Sequence, residues 1–151
     1  MGDLNEARIL IVDDELANVR LLERLLKQTG YHSIVTTTDP RQVRGLYDEL
    51  RPDLILLDLM MPHLDGVAVM GQLAIPEDAY VPILVLTADI TMEAKQRALA
   101  AGAKDFLTKP FDRVEVLLRI KNLLDTRFLY LELEEPDVGE LIVDDQNFGL
   151  R

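Results

Sequence analysis

Five side chains in this sequence could do chemistry together: Asp13, Asp14, Asp58, Thr87 and Lys109. Each sits at the end of a short apolar run. RILIV (8–12) leads into Asp13-Asp14, LILL (54–57) into Asp58, PILVL (82–86) into Thr87, and DFL (105–107) into Thr108-Lys109. An acid at the tip of a core-like run has no neutralising neighbour along the chain, so its partners must come from other segments. Two carboxylates about 5 Å apart repel by roughly 3 kcal/mol at an effective dielectric of 20, and either protons or a cation must relieve that. An all-oxygen donor set suits a hard ion. Mg²⁺ typically takes one or two carboxylates, with waters and phosphate oxygens completing its shell. An aspartate can also take a phosphoryl group as an acyl phosphate, a reaction that needs mainly positioning and charge neutralisation. A lysine ammonium and a threonine hydroxyl are suited to a transferred group's oxygens.

The elements that must position these groups are legible from apolar periodicity. Short runs without alternation, rich in branched residues, suit strands buried on both faces. They are expected at Arg8–Val12, Tyr31–Thr37, Leu54–Leu57, Pro82–Leu86 and Asp105–Leu107. Helical spacing of Leu16, Val19, Leu22 and Leu26 stops at Gly30, a helix over Pro40–Leu50 opens at its proline, and Gly66–Leu73 is short. Met92–Ala101 ends before Gly102, and Asp112 opens a long final helix to about Glu134. The pattern is (βα)5, which implies an α/β fold, a doubly wound parallel sheet with helices on both faces. One common winding, that of flavodoxin-like folds, has strand order 2-1-3-4-5, and this order is adopted here by analogy with them. In it the four strands that end in the candidate residues are consecutive, and their carboxyl ends share the edge where open α/β sheets bind ligands. With strands about 4.8 Å apart, Asp58 lies one strand from Asp14 and one from Thr87.

Composition narrows the possibilities. The chain has 151 residues, 48% of them hydrophobic, enough for one domain with a real core. It has no cysteine and two histidines, His32 and His63, which excludes thiolate chemistry and argues against a zinc site. His63 reads as a solvent-facing loop residue and His32 as structural. The net charge of −11 argues against a nucleic-acid surface. No apolar run reaches the roughly 20 residues of a membrane helix, and the polar start MGDLNEAR is not a signal peptide, so a cytoplasmic location is expected.

Four segments, ILIVDDE, LILLDLMMPHLDG, PILVLTA and GAKDFLTKPF, stand in order at strand ends. With them the sequence resembles the receiver domain of two-component response regulators over about residues 7–125. The resemblance implies that Asp58 accepts a phosphoryl group from a sensor histidine kinase or phosphotransfer protein. It implies Mg²⁺ bound by Asp14 and Asp58 and by the backbone carbonyl of Met60, with help from Asp13. It implies that Thr87 and Phe106 switch on phosphorylation, that Lys109 contacts the phosphoryl group, and that the Lys109-Pro110 bond is cis. Signalling would pass through the surface of helix 4, strand 5 and helix 5. The protein would then be a phosphoacceptor signalling domain, not an enzyme beyond its own phosphorylation and dephosphorylation. Met60 and Asp89 occupy positions that tune phosphoryl lifetime in such domains. A haloacid-dehalogenase-like phosphatase would need a second acid where Met60 stands, and a scaffold with an idle pocket would not need so complete a set. Each residue also has a plainer reading: Asp13-Asp14 as a helix cap, Asp58 and Thr87 as loop residues, Lys109 as a solvated lysine, Phe106 as core, Asp65-Gly66 as a turn that starts a helix.

The expected organisation is a receiver domain over 1–124, a helical extension over 125–135 and an acidic tail over 136–151. Leu117, Leu124, Phe128 and Leu131 repeat at 7-4-3 spacing, interrupted by Lys121, as a coiled-coil seam would. Pairing with a second copy through this helix is the expectation, and folding back over its own domain is the alternative. Residues 134–151 hold six acids and one base, and LIVDD at 141–145 repeats LIVDD at 10–14. Two readings stand: coincidence, or a chain cut just inside a second receiver. The segment NLLDTRFLYLELE also resembles the connector of regulators carrying HD-GYP cyclic-di-GMP phosphodiesterase domains, which implies a longer parent protein.

Overall fold

The computed structural model describes residues 3–134. After a 3-10 turn at Leu4–Glu6 come β1 (Arg8–Val12), α1 (Leu16–Thr29), β2 (Ser33–Thr37), α2 (Val43–Leu50), β3 (Leu54–Leu57) and α3 (Gly66–Leu73). They are followed by β4 (Ile83–Thr87), α4 (Met92–Ala100), β5 (Asp105–Thr108) and α5 (Arg113–Glu134). The five strands are all parallel, in the order β2-β1-β3-β4-β5.

The strands read as unbroken apolar runs because both sheet faces are covered. Alternate residues feed two cores. Ile9, Ile11, Leu54, Leu56, Leu84 and Leu86 pack with Val19, Leu22 and Leu26 of α1 and Val116, Ile120 and Leu124 of α5. Leu10, Val12, Ile55, Leu57, Ile83 and Val85 pack with Val43 of α2, Val69 and Met70 of α3, and Ala94 and Ala98 of α4. A side-chain period of two then places an apolar residue at every position. β2 is an edge strand and only Thr37 in it is fully buried.

The boundaries differ from expectation where caps intervene. Gly30 is left-handed (φ 114°) and Tyr31 donates its N–H to Leu26 O, so Tyr31 closes α1 and β2 begins at Ser33. Tyr31 is buried in the α1–α5 core. Pro40 starts a 3-10 turn (Pro40–Gln42) capped by Asp39, and α2 proper begins at Val43. His32, read as structural, is exposed, as is His63 in its loop. No helix among the described residues is long and apolar enough to cross a membrane. The acidic tail and its LIVDD repeat lie outside the described residues.

The expected seam on α5 is corrected by packing. Leu124 is fully buried, and Leu117 and Phe128 pack against the α1-side core. Leu131 is half-buried and lines an open groove with Tyr47, Arg51 and Pro52. A helix lying over a sheet and a helix in a coiled coil bury stripes of nearly the same period, and here the chain packs Leu117, Leu124 and Phe128 against its own core. The outward apolar residues are instead Val114, Leu118, Leu129 and Leu133. Leu124→Ala is expected to cost about 2–5 kcal/mol in urea unfolding. Leu133→Ala, at a site 74% exposed, is expected to stay within about 0.5 kcal/mol. Equal effects at the two positions would contradict this arrangement of α5.

Candidate functional site

The sheet's carboxyl edge assembles the acids. Beyond β1, the buried Asp13 donates its N–H to Thr37 O, and beyond β3 the buried Asp58 donates its N–H to Val12 O. Both backbones are thereby held to neighbouring strands. Asp13, Asp14 and Asp58 each offer a carboxylate oxygen, all within 4.8 Å of one another. The capping reading of Asp13-Asp14 finds no support in α1. Its N-cap is Glu15, which makes no side-chain cap. Asp13 Oδ1 instead accepts the Glu15 N–H at 2.9 Å, inside the loop.

Lys109 closes the group from the far side. Its N–H donates to Thr87 O at 2.8 Å, which sets the backbone beside β4. Its Nζ lies 2.6 Å from Asp13 Oδ2 and 3.3 Å from Asp58 Oδ2. The bond from Lys109 to Pro110 is cis. Three carboxylates and one ammonium leave a formal excess of two negative charges, the complement of a divalent cation.

The electrostatics follow burial. Desolvation pushes the Asp58 carboxyl above its usual range, and the charge of Asp13 adds to this; Lys109 and the Met60 N–H offset only part of it. Burial alone would lower Lys109, but its hydrogen bond to Asp13 and the charges of Asp58 and Asp13 outweigh that and hold it above its ordinary value. Lys109 is therefore a persistent ammonium.

Thr87 is fully buried and its Oγ1 accepts the Asp89 N–H at 3.3 Å. Asp89 Oδ1 accepts both the N–H and hydroxyl of Thr91, and Thr91 Oγ1 caps α4 by accepting the Ala94 N–H. A hydrogen-bond chain thus runs from the Thr87 hydroxyl to the first turn of α4, and the Asp89 carboxylate is engaged there. Phe106 pairs in register with Val85 and packs half-buried against the α2–α4 core. The Met60 side chain is exposed and lines an open cleft of about 430 Å³ with Met61, Asp89 and Arg97.

One determinant was missed in the sequence. Asp65 caps α3 through the Ala68 N–H, as the turn reading of Asp65-Gly66 expects. Gly66, however, donates its N–H to Leu59 O, and a Cβ there would lie 2.6 Å from Asp58 O and 2.9 Å from Leu59 Cα. The glycine lets the loop close against the backbone of Asp58. A glycine at the first position of a helix, eight residues after the acid, was the available signal.

The comparisons agree with this geometry. The family description "Response regulator receiver domain" matches residues 9–121. The chain belongs to that family. Among its relatives is response regulator PleD of Caulobacter vibrioides, 38% identical over 134 residues, covering 88% of this chain and 29% of PleD. Another is the alkaline phosphatase synthesis transcriptional regulatory protein PhoP of Bacillus subtilis, 41% identical over 117 residues, covering 78% of this chain and 48% of PhoP. The chain therefore spans half or less of these relatives. A solved chemotaxis protein, CheY4 of Vibrio cholerae, superposes with a TM-score of 0.69 at 28% identity, covering 78% of this chain and 98% of that one.

The packing of the acids has two measurable consequences. Gly66→Ala is expected to destabilise the domain by about 1–3 kcal/mol, through overpacking against the Asp58 backbone, in a denaturant melt; an unchanged melt would show that the loop yields freely. Because folding raises the Asp58 pKa, the charged form opposes folding. Its contribution favours folding below the unfolded value and is lost as pH rises through the folded one. In chelator, Asp58→Asn should melt higher than the parent near neutral pH, with the gap closing below about pH 4. A variant that melts lower at neutral pH would contradict the charge balance described.

Proposed function

We propose that this receiver domain accepts a phosphoryl group on Asp58 from the phosphohistidine of a sensor kinase or phosphotransfer protein. The observation that carries the reading is the double contact of Lys109 Nζ with Asp13 and Asp58 inside the three-carboxylate cluster. Asp13, Asp14 and Asp58, with the Met60 carbonyl, would hold Mg²⁺. Their hard oxygens lie close enough to converge on one small octahedral ion. When bound, the ion supplies the charge neutralisation that phosphoryl transfer requires.

The chain's own groups do the rest. An Asp58 carboxylate oxygen bonds to phosphorus as the phosphorus–nitrogen bond of the donor breaks, and the departing electron pair returns to the imidazole. Lys109 leaves its contact with Asp58 for a phosphoryl oxygen while keeping Asp13. The Thr87 hydroxyl, at the end of the adjacent strand, donates to another phosphoryl oxygen. In doing so it draws on the Asp89–Thr91 chain at the start of α4, and Phe106, one strand over, follows into the space. The α4–β5–α5 surface is the output face under this reading.

Residues 3–134 are assigned no nucleic-acid contact. The transcriptional regulatory role in PhoP's name belongs to a longer chain, of which the match covers 48%. The final helix is retained as the contact with a second copy only through Val114, Leu118, Leu129 and Leu133, since the inner stripe is occupied. Light scattering with and without beryllofluoride reads this directly, and a monomer in both states removes the contact.

The decisive experiment is incubation with acetyl phosphate and Mg²⁺ followed by mass spectrometry. The expected result is an adduct of about 80 Da on Asp58, absent in Asp58→Asn and without metal. Lys109→Met should slow its formation by roughly 10²–10³. An adduct that persists in Asp58→Asn, or that forms equally well in chelator, would overturn the assignment.

A further inference from the structure

The last ten residues of α5 extend past the body of the core, against which Phe128 still packs. Leu124 is the final fully buried residue of that helix, yet three positions later Arg127 is only 9% exposed. Its guanidinium is engaged on several sides. Nε lies 3.2 Å from Asp53 Oδ1, and Nη1 donates to Ala79 O at 2.8 Å and to Tyr80 O at 3.2 Å. Asp53 is 3% exposed and starts the β3 edge opposite Asp58. Its other oxygen accepts the Arg8 N–H at 2.9 Å, and its own N–H donates to Arg8 O at 2.7 Å. One turn further along, Tyr130 meets the Tyr80 ring at 5.6 Å, and Lys104 Nζ lies 5.5 Å from that ring on its own account. One arginine therefore ties the helix to the starts of β1 and β3 and to the loop before β4.

A buried ion pair is weak evidence for stability. Its desolvation can cancel its attraction, and its best-attested use is to select one arrangement over alternatives. Here the alternatives are rotations or fraying of a ten-residue helical end, which is marginal by itself in water. Arginine suits the task because its planar fork can serve a carboxylate and two carbonyls at once. With Arg127 turned inward, Leu129 and Leu133 must face outward.

We propose that Arg127 is a clasp that makes Asp125–Glu134 a rigid arm of the domain, held at one rotational phase against the sheet edge remote from the phosphoacceptor site. Whatever is joined to or docked on that arm then moves as one body with the amino-terminal edge of the sheet, and the arm is no swivel. The inference stands whether or not Asp58 is phosphorylated.

The chain has no cysteine, so paired spin labels can be placed cleanly. The exposed Glu49 and Leu133 would be changed to Cys and their separation measured by pulsed dipolar spectroscopy, with amide exchange of residues 126–133 read in parallel. The expected parent shows one narrow distance. Arg127→Met should broaden it and speed exchange across the arm by about tenfold or more, and by more than at the centres of β1 and β3. Should Arg127→Met fail to fold, Arg127→Lys, which keeps the charge and loses the fork, should broaden the distance to a lesser degree. A broad distance in the parent overturns the clasp. So does a distance as narrow as the parent's in a folded Met variant or, if that variant does not fold, in the Lys variant.

Discussion

The structure depends on one electrostatic constraint: three carboxylates are gathered at the ends of two adjacent strands, and a single lysine from across the sheet stands among them. Like charges this close repel by several kcal/mol in a medium of intermediate dielectric. Lys109 and the Met60 N–H relieve only part of this. The buried strands cannot retreat, because their side chains fill two cores at once. The acids are therefore held in a rigid frame, and the Asp58 pKa is raised chiefly by desolvation, with the charge of Asp13 adding to it. Such a frame is complementary to added positive charge.

The frame also explains why the loops around the acids are built so tightly. Gly66 closes against the Asp58 backbone because any side chain would push that backbone away. Lys109 is set by a main-chain bond to the strand carrying Thr87 before its side chain reaches the acids. Asp89 spends its carboxylate on Thr91 and the α4 cap, so the Thr87 hydroxyl and the start of α4 share one hydrogen-bonded chain. Rigidity at the acids and connectivity at the threonine are different properties, and neighbouring strands of one sheet carry them. The opposite edge has its own polar knot at Asp53 and Arg127, so β3 is pinned at one end by an ion pair and charged at the other.

Much of this was legible in the chain. The apolar runs at 8–12, 54–57 and 82–86 declare strands buried on both faces, and the acids and the threonine follow them directly, with the lysine close behind the run at 105–107. What could not be read were features decided by a helix's rotation or a cap's hydrogen bonds. The 7-4-3 stripe of α5 fits a partner helix and the domain's own sheet equally well, and packing chose the sheet for Leu117, Leu124 and Phe128. Tyr31 looked like strand because its type favours strands, but the left-handed Gly30 turns it into the closing residue of α1. Arg127 gave no signal along the chain, since its partners lie 74 and 48 residues away.

The sequence by itself determined the element order, the double burial of the sheet and the identity of the groups at its carboxyl edge. These follow from local periodicity and residue type, which neighbours along the chain already express. Tertiary structure alone decided the 4.8 Å convergence of the acids, the sharing of Lys109 between Asp13 and Asp58, the inward face of α5 and the capture of Arg127. Each of those is a distance between segments remote in sequence. Such distances are set by strand pairing and helix rotation over a common core, where many weak contacts together choose one register.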